Sequence, residues 1–311
     1  MKPSKVIFSL LTLGLTITNL AAHGAEPREL RIENAGQKIY VKDYPGAEPA
    51  MVMVHGFPDN HHIYDHLAPL LSERGQRVIT FDFLGFGDSE KSAAFAYSFD
   101  QQESDLAAVA DGLQLKRFIP VAHDAGGPAV INYSRKHPER ISSIVLLNTY
   151  YTKTPTLKLP GLIALSSEPR VKPVAVAVMN NTTVRNWLLN YQANQFLENA
   201  PEEIRTKFKS FLLPLIQANF EKQGSVRGFN AMTGDFNHNV EENTKVVGQL
   251  VQLDIPVNIV WGGSDPYLNV GVARDLAKQF KHAEVHVLPL GHWPQIDDPK
   301  AVADLLMPIK K

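Results

Sequence analysis

The chain has 311 residues, 44% hydrophobic and 20% charged, with a formal net charge of −1, 20 glycines, 21 prolines and no cysteine. This is a globular composition, long enough for one large domain or a domain with an insertion. The near-zero charge excludes a long-range field for nucleic acid or an anionic membrane, and the missing cysteine excludes a disulfide framework.

Residues 1–24 differ from the rest. Lys2 and Lys5 precede the apolar run from Val6 to Leu20, and Ala21-Ala22-His23-Gly24-Ala25 follows. That order predicts a secretory signal peptide, cut after Ala22 or Gly24, and hence a periplasmic or secreted protein of bacterial type. The run is short and interrupted by Ser9, Thr12, Thr16, Thr18 and Asn19, which argues against a retained membrane anchor.

Two alternating stretches within Leu30–Asp43 predict an antiparallel hairpin. Met51-Val52-Met53-Val54 is continuously apolar, as in a strand buried on both faces, and ends at His55-Gly56-Phe57-Pro58. The pattern from His62 to Arg74 predicts a helix stopped by Gly75. A strand over Arg77–Asp82 then runs into the loop Gly85-Phe86-Gly87-Asp88-Ser89, and Phe99–Leu113 follows as an amphipathic helix. Phe118–Ala122 predicts a strand that turns through His123-Asp124-Ala125-Gly126 into a helix at Gly127–Lys136. Ala122 and Gly126 flank Asp124 as small-x-nucleophile-x-small. Such a turn needs small residues because it is strained and the helix packs close to the strand. Ile141–Leu147 is a further buried strand.

The alternation breaks over Thr152–Val246, where helix-like pieces are separated by Pro155, Pro160, Pro169, Pro173, Pro201 and Pro214. It resumes with a strand at Val257–Trp261, a helix near Val270–Phe280, a strand at Val285–Leu288 and a closing helix from Ala301. Alternating strands and helices predict an α/β fold with a mostly parallel, doubly wound sheet. The expected organisation is a core of residues 25–151 and 247–311 with residues 152–246 inserted as a helical lid. Such a lid covers the carboxyl ends of the strands, where ligands bind in sheets of this kind.

Three chemical candidates fall at strand ends. Asp124 follows the elbow strand, Asp265 follows Trp261-Gly262-Gly263-Ser264, and His292 lies in Leu290-Gly291-His292-Trp293-Pro294. Nucleophile, acid, base is the chain order of α/β-hydrolases, and Asn148-Thr149-Tyr150 offers no rival acid. An aspartate nucleophile attacks saturated carbon and leaves an alkyl ester that water must open.

These residues resemble the α/β-hydrolase superfamily over nearly everything after the N-terminal segment, most weakly across the lid. His123-Asp124 and the loop from Phe81 to Glu90 are similar to the haloalkane dehalogenases and epoxide hydrolases. His55-Gly56-Phe57-Pro58 is similar to the oxyanion motif of the epoxide hydrolases. The resemblance implies that His292, oriented by Asp265, activates a water against the ester on Asp124. The N–H groups of Phe57 and Ala125 would hold the oxyanion.

The leaving-group side departs from both families. Dehalogenases hold the halide with N–H donors, commonly including a tryptophan directly after the nucleophile. Here that position is Ala125, which leaves Trp187 of the lid as a donor. Epoxide hydrolases protonate the epoxide oxygen with lid tyrosines. Tyr191 is the tyrosine well inside this lid, with Tyr150 and Tyr151 at its entrance. Trp187 and Tyr191 are four apart and share a helical face, so both are expected to look into the pocket.

The favoured expectation is an exported hydrolase opening an epoxide to a diol. Haloalkane dehalogenation to halide and alcohol is the alternative, with ester or lactone hydrolysis and non-catalytic ligand binding behind it. The expected partners are a small apolar organic substrate and water, with no nucleic acid, stable membrane anchor or cofactor. His61, His62, Asp65 and His66 invite a metal reading, with His62 and His66 at helical spacing. Their helix offers no third ligand or general-base glutamate at metalloprotease spacing, so no metal is expected.

Overall fold

Eight strands form one twisted sheet in the computed structural model, which describes residues 26–198 and 200–307. The expected signal segment at 1–24 lies outside the described residues. The strands are β1 (Arg28–Asn34), β2 (Gln37–Tyr44), β3 (Ala47–Val54), β4 (Gln76–Phe81), β5 (Phe118–Asp124), β6 (Ile144–Thr149), β7 (Val257–Gly262) and β8 (Ala283–Leu288). Their order is β1-β2-β4-β3-β5-β6-β7-β8. All neighbours from β4 to β8 pair in parallel, while β1–β2 and β2–β4 are antiparallel. This is the mostly parallel α/β sheet expected from the alternation.

Burial explains the strand sequences. Val52, Met53 and Val54 are fully buried, and β3 lies mid-sheet between β4 and β5. The β1–β2 hairpin turns through Ala35 and Gly36, both at positive φ, the conformation that matches a two-residue turn to the twist of its strands. β2 also pairs with β4, so the hairpin extends the sheet rather than standing apart.

Two local departures have clear causes. The single helix expected over His62–Arg74 is a 3₁₀ turn at His61–Tyr64 followed by a helix at Leu67–Glu73. Asn60 caps the turn by accepting from His62 N–H, while the His61 N–H is drawn to Asp82 Oδ1 at 2.7 Å. In the lid, Pro214 does not separate helices. A wider π-turn at Phe208–Leu212 joins Glu202–Lys207 to Leu213–Glu221, and such a turn accommodates a residue that lacks an N–H.

Between β6 and β7 the chain is helical. The lid helices are Gly161–Ser167, Lys172–Asn180, Thr182–Phe196, the joined pair just described, Ser225–Gly234 and Phe236–Val246. They grip the core at the loop after β4. Gly87 N–H donates to Asn219 Oδ1 at 3.1 Å, Lys222 Nζ meets Asp88 Oδ1 at 2.6 Å, and Gly228 packs so closely that a β-carbon there would press on the Gly85 backbone. Among the described residues, no helix is long and apolar enough to cross a membrane.

Candidate active site

The end of β5 is bent sharply. Asp124 has φ +47°, a left-handed conformation costly for any residue with a β-carbon. The glycines that follow allow the turn: a β-carbon at Gly126 would strike Val54 and the His55 carbonyl, and one at Gly127 would strike Thr149 Oγ1. The helix Gly127–Lys136 then departs, and Asp124 lines the cavity at the turn.

The loop after β3 lies across that side chain. Phe57 N–H donates to Asp124 Oδ2 at 3.0 Å, and the Ala125 N–H also stabilises the charged carboxylate. Gly56 makes the approach possible, since a β-carbon there would overlap the carboxylate. His55 fixes the loop from behind. It is fully buried, its Nδ1 donates to the Gly56 carbonyl at 2.9 Å, and its Nε2 accepts from Phe83 N–H at 3.1 Å. Both ring nitrogens are used in the neutral form, and burial lowers its pKa. Burial also pushes the Asp124 pKa up, opposed by His292 and the two backbone donors.

Asp265 and His292 meet beside Asp124. His292 Nδ1 lies 2.5 Å from Asp265 Oδ2. The other Asp265 oxygen accepts from the Tyr267 and Leu268 N–H groups at 2.9 and 3.0 Å. Burial pulls His292 down, but Asp265, Asp124 and Asp59 outweigh it and raise it to about 9. Burial likewise pushes Asp265 up, and His292 with the surrounding donors brings its pKa below the usual carboxylate range.

The sequence reading missed three contributors. Asn148, at the end of β6 with φ +29°, donates Nδ2 to Asp265 Oδ2 at 3.0 Å and accepts from Gly262 N–H at 2.7 Å. It locks the acid from the strand end that carries no acid of its own. Asp59, from the loop after β3, accepts from Trp293 Nε1 at 2.9 Å and lies 3.7 Å from His123 Nδ1. Burial pushes Asp59 up to about 7. Tyr267, two residues past Asp265, lines the cavity and accepts from Gln192 Nε2 at 2.7 Å. The only sequence signal for these was proximity to strand ends.

Asp124 and His292 open into an apolar cavity walled by Leu189, Phe196, Ile216, Phe229 and Phe236 among others, with Tyr150 and Tyr267 as polar points. Tyr150 is buried against Phe236, and its hydroxyl has no hydrogen-bond partner among the described residues. Burial, with Asp124 and Asp235, raises its pKa well above 10, so the phenol keeps its proton. The expectation for Trp187 and Tyr191 is corrected. They do share a face, with rings stacked at 5.9 Å, but they are 66% and 53% exposed and neither lines the cavity. The inward face of that helix carries Leu189, Ala193 and Phe196 instead.

Such a site can present a carboxylate to a carbon in an apolar pocket, hold an oxyanion with backbone N–H groups and supply a base from the His–Asp pair. A 24% identical match over 284 residues is to bifunctional epoxide hydrolase 2 of Sus scrofa, covering 84% of this chain and 51% of that protein. Haloalkane dehalogenase 2 of Mycobacterium bovis is 29% identical over 144 residues, covering 46% of this chain and 48% of its own. The chain thus spans about half the length of these relatives. The crystal structure of Cfl2 from Burkholderia cenocepacia superposes with a TM-score of 0.75 at 19% identity, covering 92% of this chain and 96% of Cfl2. The family model for the alpha/beta hydrolase fold matches residues 49–299. That span runs from inside β3 to beyond His292 and takes in all three strand-end residues, so the chain belongs to the alpha/beta hydrolase fold family and is an enzyme of that fold, with Asp124, Asp265 and His292 as its candidate catalytic residues.

Proposed function

We propose that the chain is an epoxide hydrolase-type enzyme in which Asp124 forms an alkyl ester that the His292–Asp265 pair hydrolyses. One observation carries the choice of epoxide over haloalkane: the state of the leaving-group donors. The chain has three tryptophans. Trp187 is exposed, Trp261 Nε1 donates to the Leu268 carbonyl at 2.6 Å, and Trp293 Nε1 donates to Asp59. None offers an indole N–H to a departing halide. Tyr150 offers a buried, protonated hydroxyl, unpartnered among the described residues, at the cavity wall beside the nucleophile, which suits an alkoxide that must gain a proton. The likeness to a protein named an epoxide hydrolase adds support.

In this mechanism Asp124 Oδ1 attacks an epoxide carbon while Oδ2 stays on the Phe57 N–H. The carbon–oxygen bond breaks, and the alkoxide takes the Tyr150 proton. His292 then removes a proton from water, which adds to the ester carbon. The charge develops on the oxygen already held by Phe57 and Ala125, so little has to rearrange. Collapse breaks the bond between the ester carbon and the alkyl oxygen, and that oxygen takes the remaining proton of the added water to complete the diol. Asp124 returns as a carboxylate, and the proton on His292 restores Tyr150. Alkylation neutralises Asp124, one of the charges that raise His292, so the ring becomes a readier base when one is needed. Residues 152–246 act as the lid that sets substrate size, and residues 1–24 as an export signal.

Intact-protein mass spectrometry of His292→Gln, incubated separately with epoxide and haloalkane panels, tests the proposal. An adduct on Asp124 carrying the whole epoxide mass is expected. An adduct from haloalkanes alone would move the assignment to a dehalogenase. No adduct from either panel in a folded variant would remove the alkyl-ester mechanism.

A further inference from the structure

Away from the cavity, the turn at His61–Tyr64 and the loop after β4 bring His61, His62 and Asp88 together. One potential ligand atom from each lies within 4.8 Å of the other two. Both rings are oriented by carboxylates: His61 Nδ1 is 2.9 Å from Asp82 Oδ2, and His62 Nδ1 is 2.5 Å from Asp65 Oδ2. A carboxylate on Nδ1 holds the ring proton there and leaves the Nε2 lone pair available, as in metal-binding histidines. His61 is 1% exposed, and its Nε2 has no hydrogen-bond partner among the described residues. A buried ring nitrogen in that state costs stability unless a ligand satisfies it. His62 and Asp88 are partly exposed, which gives an ion a path from solvent. Asp88 already holds a cation, the Lys222 ammonium from the lid.

We propose that His61, His62 and Asp88 form a binding site for a borderline divalent transition ion such as zinc. Two imidazole nitrogens with one carboxylate oxygen are a zinc-type donor set, whereas magnesium and calcium prefer oxygen throughout. Zinc–nitrogen bonds of about 2.0–2.1 Å require the ligand atoms to draw closer, and the two partly exposed side chains make that adjustment. Asp82 and Asp65 form the outer layer that fixes the rings. The turn bearing His61 and His62 supplies no third ligand to the group; that comes from Asp88 across the fold. Lys222 and the ion compete for the same carboxylate.

The test uses the tag-free full chain, stripped with a chelator and titrated calorimetrically with Zn²⁺, with Co²⁺ absorption reporting coordination. One equivalent is expected to bind, with visible ligand-field bands. His62→Ala and Asp88→Asn, both at partly exposed positions and checked for folding by circular dichroism, are expected to weaken binding at least ~10-fold. Lys222→Met is expected to tighten it several-fold. Absence of stoichiometric Zn²⁺ binding to the folded protein, unchanged affinity in either ligand variant, or displacement by equimolar Ca²⁺ would overturn the proposal. Unchanged affinity in Lys222→Met would overturn the assignment of Asp88.

Discussion

Tyr150 sits at the first position after β6, buried beside the nucleophile with its hydroxyl unsatisfied among the described residues. If it donates to the opening epoxide, Tyr150→Phe slows ester formation about 10²-fold, the usual size of one general acid, and leaves ester hydrolysis nearly unchanged. Rapid-mixing kinetics separates the two steps, and equal slowing of both would reduce Tyr150 to a wall residue. Asp124, Asp265 and His292 stand out in the sequence because each lies at the end of a strand or within a few residues after one, so chain order encodes their relation. Asn148 and Tyr267 do not stand out. Asn148 acts on a residue 117 positions away, and no local pattern carries that contact. Helical spacing correctly pairs Trp187 with Tyr191, but spacing does not say which face a lid helix turns inward.

The helix Ser225–Gly234 and the loop after β4 meet at Gly228 and Gly85 with no side chain between them. The neighbouring Phe229 lines the cavity, so this contact sets the height of the roof. Gly228→Ala forces the helix outward at a cost of about 1–3 kcal/mol in lid packing. KM for the best substrate is expected to rise several-fold while kcat changes little; steady-state kinetics with a calorimetric melt checks both. At this scale the sheet was legible, since buried parallel strands are continuous apolar runs. The turn at His61 was not, because the groups that break the helix are Asn60 and a distant Asp82.

Charge within the whole molecule couples folding to pH through His292. Its pKa rises from the ordinary ~6.5 to about 9 in the fold. The folded state therefore binds this proton more tightly than the unfolded chain does. The resulting stabilisation is complete below pH ~6.5 and is lost as pH climbs through about 9. Melting temperatures from pH 6 to 10 are expected to fall across that window in the wild type and to flatten in Asp265→Asn. The left-handed backbone at Asp124 acts in the opposite sense. A non-glycine residue held there costs ~1–3 kcal/mol, and its carboxylate is partly stripped of water. Asp124→Gly is expected to melt a few degrees higher than the wild type while losing all turnover; a lower melting temperature would mean that the carboxylate's hydrogen bonds outweigh the strain. A population of variants screened by heat alone would accordingly drift toward catalytically dead survivors, and any programme to harden this protein must score product formation in every round.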